Sequence, residues 1–231
     1  MSKKKSADAG GKVHPWRLCE IGSHWVREHI RTTPKGNVVT VRAHCARNPS
    51  GTDRLTVDEI AEITERQFGV LKGGLCSSNI GYGRGSEFDS IILGWTQYWN
   101  EVLTPDEPLD PNIVKALIAS ESSFNPKAKT KSGGLNVRGL MQIRDDTRKI
   151  VGDVKGEMKR GYISAQPDDL WDPSVNISIG IRWLFRKRQI VRAKNPQATW
   201  RDAVAAYKAF APSSKDMENF DESLKKLREC K

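Results

Sequence analysis

The sequence has no apolar run approaching the roughly 18 residues that a membrane-crossing helix needs, so no transmembrane segment is expected. Its first stretch, "MSKKKSADAGGKVHPW", is basic but has no apolar h-region, which argues against a Sec signal peptide; residues 1–12 read as a disordered tail. Cysteine is scarce. Cys19, Cys45, Cys76 and Cys230 are too few for a disulfide scaffold in 231 residues and form no CxxC pair, which leaves the redox compartment open. No zinc-finger or RNP pattern accompanies the basic residues, so nucleic acid is not expected as a partner. The glycines of "GGLCSSNIGYGRGSE" (73–87) follow no strand in a phosphate-binding pattern, so this stretch is a loop and no nucleotide or other cofactor is expected. There is also no internal repeat.

What is abundant is positive charge. Thirty-eight Lys and Arg against 28 Asp and Glu give a net charge of +10, which points to an acidic partner. Nucleic acid, an anionic membrane and an acidic cell-wall polymer all satisfy charge alone. The length suits one substantial domain with an appendage, or two small ones.

Residues 13–54 differ in character from the rest and read as a small N-terminal module. Trp25 to Ile30 and Val38 to Ala43 are β-branched and alternating, and they flank the turn signals of "RTTPKGN", so a hairpin is expected. All four histidines fall here. The cluster Cys19, His24, His29, His44 and Cys45 offers ligand types that zinc takes, although its spacing matches no standard finger. Cys19 and Cys45 could equally form a disulfide or stay free.

Residues 55–231 read as helical, which makes the fold class mainly α. Thr56 and Glu59 stand in capping-box positions ahead of Ile60, Ile63 and Phe68. Ile92, Trp95 and Trp99 share a face of the next helix, as core aromatics do. "SGGLNVRGLMQIRDDTRKIVG" holds a glycine-rich turn, a short apolar segment and a helix from about Asp145. Asp172 as N-cap with Pro173 starts a helix that turns Ile177, Ile181 and Leu184 inward. Thr199 with Asp202 starts another, with Ala203, Ala206, Tyr207 and Phe210 on one stripe, and "DMENFDESLKKLREC" makes an outer charged helix.

The segment "LDPNIVKALIASESSFNP" holds the candidate acid. Asp110 and Pro111 start a helix, Val114, Leu117 and Ile118 mark its buried face, and the next position of that series is Glu121. Asn125-Pro126 ends the helix soon afterwards. A carboxylate against hydrocarbon has its charged form disfavoured, the tuning that a general acid needs. A neighbouring Lys or Arg at the helix end would give Glu121 a structural role instead.

"ASESSFNP", "GLMQI", "DPSVNISIGIRWL" and "AVAAYKAF", in this order over residues 105–212, resemble the motifs of the lytic transglycosylase family, whose domain is similar in fold to goose-type lysozyme. The resemblance implies a lysozyme-like helical catalytic domain that cuts the bond between N-acetylmuramic acid and N-acetylglucosamine in peptidoglycan glycan strands. It makes Glu121 the acid and then the base, with Ser122 beside it at the substrate. Gly139, Leu140, Met141 and Gln142 would line the sugar cleft, with Gln142 touching saccharide, and the Tyr207 hydroxyl would bond the glutamate. A lytic enzyme closes an anhydro ring with the muramyl 6-hydroxyl. A hydrolase would add a second carboxylate, for which Asp145, Asp146, Asp153 and Glu157 are the candidates. Asp145 and Asp146 also suit plain helix N-terminal charges.

One departure stands out: the family commonly has Tyr-Asn-Gly in its last motif, whereas this chain reads Tyr207-Lys208-Ala209. Peptidoglycan lies outside the cytoplasmic membrane, so without a Sec signal the expectation is non-Sec delivery. That delivery would be as an antibacterial effector of a machine such as type VI secretion, or as a phage lysin. An inhibitor or immunity protein and a secretion or phage component would be partners, and the N-terminal module would serve loading, targeting or recognition. The competing reading is a wall-binding module that has lost catalysis.

Overall fold

The computed structural model describes residues 16–20, 22–48, 53–71, 73–211 and 213–230. The tail expected at residues 1–12, and His14, lie outside these. Strand β1 (Ser23–Val26) pairs antiparallel with β4 (His44–Arg47), and β2 (His29–Thr32) with β3 (Val38–Val41). Together they make the expected hairpin as two successive ladders. Its tip closes where Thr33 N–H donates to Asn37 O at 2.8 Å, with Gly36 at φ +82°.

The Cys19–Cys45 disulfide ties β4 to the segment that precedes β1. The zinc alternative for this cluster is thereby corrected, because both sulfurs are consumed by one another. The histidine rings turn to separate partners: His24 Nδ1 to Asn48 Oδ1, His29 Nδ1 to Arg27 O and His44 Nδ1 to Arg42 O. No group of three or more His, Cys, Asp or Glu converges as a metal site among the described residues.

Residues ahead of the hairpin are tied into the helical body. Trp16 sits edge-on to Phe68 and donates from Nε1 to Glu101 at 2.6 Å. Arg17, buried, reaches Asp53 and bonds Glu59 at 3.1 Å. Helix α1 (Val57–Gln67) is capped by Thr56, which accepts from Glu59 N–H at 3.3 Å. The Glu59 side chain does not close the capping box, because it meets Arg17 instead. Strand β5 (Arg54–Thr56) runs parallel to β9 (Tyr162–Ser164).

Helix α2 (Asp89–Leu103) is buried on nearly every side. Phe68, Trp95, Tyr98 and Trp99 form a row of edge-to-face contacts with centroids 5.0–5.1 Å apart. Trp95 Nε1 donates to Ser174 Oγ and Trp99 Nε1 to Ser178 O, so both indole N–H groups are satisfied on α5 (Pro173–Lys194). Helix α3 (Pro111–Ser122) starts as expected, with Asp110 accepting from Asn112 N–H at 2.9 Å. Between α3 and α5 lie the small sheet β6 (Lys129–Ser132), β7 (Leu135–Arg138) and β8 (Ile143–Arg144), then α4 (Asp145–Gly152).

Helix α6 (Trp200–Lys208) carries the full Thr199–Asp202 capping box. It buries Ala203 and half-buries Ala206 and Tyr207. Phe210 is 44% exposed rather than on the apolar stripe. The helix ends before it, and Ala209 at φ +56° turns the chain away. Helix α7 (Lys215–Arg228) buries Met217, Phe220, Leu224 and Leu227 and packs on α3. It runs antiparallel to α3: Arg228 lies 3.7 Å from Asp110 at one end, and the Cys76–Cys230 disulfide closes that end. Among the described residues no helix is long and apolar enough to cross a membrane.

Candidate active site

Three consecutive non-helical decisions follow the last turn of α3. Ser123 and Phe124 take left-handed backbone, at φ +50° and +61°, and Asn125-Pro126 cannot resume the helix. Two such residues cost roughly 1–2 kcal/mol each. Burying the Phe124 ring against Tyr82, at 5.5 Å between centroids, offsets much of that. The turn is therefore anchored, and Glu121 is fixed one residue inside the helix end.

The Glu121 side chain is only 15% exposed. Burial pushes its carboxyl above the usual carboxylate range, opposed by the charge and hydrogen bond of Lys208, while Asp216 on α7 pushes it slightly further up. Lys208 Nζ lies 3.0 Å from Glu121 Oε1 and donates to Ser120 Oγ at 3.2 Å. Both sequence readings of Glu121 are thus realised together: a desolvated carboxyl and an ion-paired one.

The Gly139–Gln142 turn joins β7 to β8 and is bonded by Tyr207, the neighbour of Lys208. Gly139, at φ +78°, packs so closely that a Cβ would lie 2.2 Å from Asn176 Nδ2 and 2.6 Å from Leu170 O. Leu140 and Met141 are fully buried. Gln142, at φ +47°, donates from Nε2 to Gly139 O at 2.9 Å and Ala128 O at 3.2 Å, and its Oε1 accepts from Thr130 Oγ1 at 2.8 Å. The amide expected on saccharide is occupied in bracing the turn. Ser122 Oγ donates to Ile118 O at 3.3 Å, within its own helix.

The Tyr207 hydroxyl donates to Met141 O at 2.6 Å, not to Glu121 as the resemblance implied. It supplies a donor to a buried backbone acceptor, while Lys208 takes the carboxylate. Tyr207 still lies near Glu121: burial, and next the Glu121 charge, hold its phenol well above the ordinary tyrosine range. Asn176 was missed in the sequence. It accepts from Met141 N–H at 2.8 Å and donates to Arg138 O and Leu170 O, both at 2.9 Å, so it holds the turn from behind. Its signal was an amide inside the apolar run of "SVNISIGI".

Two cavities flank the pair. One, of about 190 Å³, is lined by Gln142, Asp146, Trp183 and Lys187 together with Tyr207 and Ala209, the neighbours of Lys208. The other, of about 470 Å³, is lined by Ser120 and Ser123, either side of Glu121, and by Tyr82, Asp216 and Asn219.

The further carboxylates are all engaged. Asp145 pairs with Arg138, and Asp146 pairs with Arg144 at 2.7 Å and accepts from Thr147 N–H, as first-turn charges of α4 do. Asp153 accepts from Lys155 N–H at 2.9 Å. Glu157 pairs with Arg186 at 2.7 Å in a separate basic cavity with Arg160 and Arg182. Only Asp146 of these borders the cavity beside Tyr207.

The chain is similar to the "Membrane-bound lytic murein transglycosylase E" of Buchnera aphidicola subsp. Acyrthosiphon pisum (strain APS), at 30% identity over 145 residues, 57% of this chain. It spans 62% of that relative's length. Residues 99–227, more than half of the chain and including Glu121, the Gly139–Gln142 turn and Lys208, match the family described as "Transglycosylase SLT domain". With a half-buried helix-end glutamate near Tyr207, whose hydroxyl reaches that turn, the chain belongs to the transglycosylase SLT domain family.

Proposed function

We propose that this chain cleaves the glycan strands of peptidoglycan as a lytic transglycosylase, with Glu121 acting first as acid and then as base. The observation that carries the reading is the desolvated Glu121 carboxyl at the anchored end of α3, near Tyr207, whose hydroxyl reaches the Gly139–Gln142 turn. Protonated Glu121 gives its proton to the glycosidic oxygen. The bond from the muramyl C1 to that oxygen breaks, its electron pair stays with the leaving N-acetylglucosamine, and an oxocarbenium-like centre develops. The muramyl 6-hydroxyl then attacks C1 and its proton returns to the Glu121 carboxylate. The anhydro ring closes and the enzyme is regenerated without water.

The ion pairs at Asp145, Asp146 and Glu157 support this single-carboxylate route over a hydrolytic one, since an arginine in contact makes a carboxylate a weaker base toward water. The two disulfides suit an oxidising compartment such as the one that holds the wall. With the basic surface, they also fit delivery as an antibacterial effector or phage lysin, partnered by a secretion or phage component and an inhibitor.

The test compares wild type with Glu121→Gln on purified sacculi, read by mass spectrometry of the released muropeptides. We expect anhydro ends from the wild type and a loss of about 10²–10⁴-fold or more in the variant. Reducing ends would mean hydrolysis; sacculi bound but undigested by the wild type would mean a wall-binding module. The same pair exported to the periplasm of a Gram-negative host bears on delivery, with lysis expected from the wild type alone and a lack of lysis counting against a lytic effector.

A further inference from the structure

Lys208 ends α6 with its side chain only 5% exposed and its ammonium on two acceptors, Glu121 Oε1 at 3.0 Å and Ser120 Oγ at 3.2 Å. Its nitrogen also lies 5.6 Å from the centre of the Phe210 ring. Burying a cation here is costly unless it is matched, and Glu121 is the one carboxylate bonded to it among the described residues. A general acid must carry its proton before it can give it, and a cation in contact opposes that proton. The same cation stabilises the carboxylate that remains once the proton has left. These two effects pull the rate in opposite directions at different pH, which a purely architectural lysine would not do.

We propose that Lys208 is a positioning residue for Glu121 that sets how often the carboxyl is protonated and holds the carboxylate formed when the proton is given up. The inference rests on the reading of Glu121 as the acid. Among the described residues the other titratable groups coupled to Glu121 are Tyr207 on α6 and Asp216 on α7, with Tyr82, Glu222 and Lys226 further around the cavity beside Ser120 and Ser123; the Gly139–Gln142 turn brings none. Burial and Asp216 push the carboxyl's pKa up and Lys208 pushes it down, so Lys208 confines the protonated form to lower pH. Removing its charge moves the alkaline limb of the pH–rate profile upward. It also lowers the rate on the acid side, where every Glu121 carries its proton and only the stabilised carboxylate distinguishes the variants.

The experiment titrates the Glu121 carboxyl by carbon-13 NMR in the wild type, Lys208→Met and Lys208→Arg, with Glu121→Gln assigning the resonance. A pH–rate profile on sacculi accompanies it. We expect the midpoint to rise in Lys208→Met by about one pH unit, a tenfold gain in proton affinity, and to stay in place in Lys208→Arg, which keeps the cation. Should the methionine variant unfold, Lys208→Gln, which retains an uncharged donor on a shorter stem, carries the same expectation. A midpoint unchanged in a folded, uncharged variant would overturn the proposal, whatever happens to the rate. A midpoint that moves while even the wild type leaves sacculi intact would uphold the electrostatic role and sink the catalytic reading, so the two failures are distinguishable.

Discussion

Asn176 meets three backbone groups with one amide: Met141 N–H, Arg138 O and Leu170 O. No other side chain type offers an acceptor and two donors on so short a stem, and a Cβ on Gly139 would collide with it. Asn176→Ala strands buried groups that cost roughly 1–3 kcal/mol each. We expect a loss on the order of 2–4 kcal/mol in total and a fall in Tm of about 5–10 °C in a thermal melt. The rate on sacculi should fall as well, because the Gly139–Gln142 turn loses its brace, while Asn176→Asp, lacking both donors, should recover little. An Asn176→Ala variant with unchanged Tm would mean that water replaces the amide fully.

Helix α7 covers α3 along its length, with Asp216 near Glu121 and Arg228 near Asp110. Cys76–Cys230 closes a loop with a sequence separation of 154, and such a crosslink contributes about 2–5 kcal/mol by restricting the unfolded chain. The double variant Cys76→Ser/Cys230→Ser should melt lower, and amide exchange should accelerate in α7 more than in α2 or α5. Reductant should then have a smaller effect on the double variant than on the wild type; equal sensitivity would shift the stabilisation to Cys19–Cys45.

The start signals of these elements were legible because a cap acts within four residues: Asp110-Pro111, Asp172-Pro173 and Thr199 with Asp202 each cap the helix expected of them. What was illegible depends on distant residues. The partner of Cys76, the Arg17 that draws Glu59 out of its capping box, and the Met141 and Arg138 backbone groups that Asn176 meets all lie 35 or more positions away in the chain. At the site, the spacing of Val114, Leu117, Ile118 and Glu121 placed a carboxyl on the apolar stripe, yet it could not choose which of the many Lys and Arg residues would meet it. Phe210 was misplaced for a local reason, the left-handed Ala209, which a residue other than glycine does not advertise.

As a whole the molecule carries a net charge of +10. Its attraction to a polymer bearing carboxylates works over a distance that shrinks from about 10 Å at 0.1 M salt to about 3 Å at 1 M. Sacculus digestion should therefore slow across that range. Cleavage of a short, uncharged glycan fragment should not, which separates capture from chemistry; parallel slowing of both would place the salt effect in the site.

The parallel pairing of β5 with β9 bears on the order in which the molecule comes into being. Residues 54–56 meet 162–164, and α1, α2, α3 and the β6–β8 sheet all lie in the loop between. The hairpin of β1–β4 closes locally, on the microsecond scale of such events. The β5–β9 contact must first meet the entropy of bringing together ends that are a hundred residues apart. The N-terminal hairpin is thus expected to form early and the β5–β9 pairing late, so a folding chain acquires the two on separate clocks.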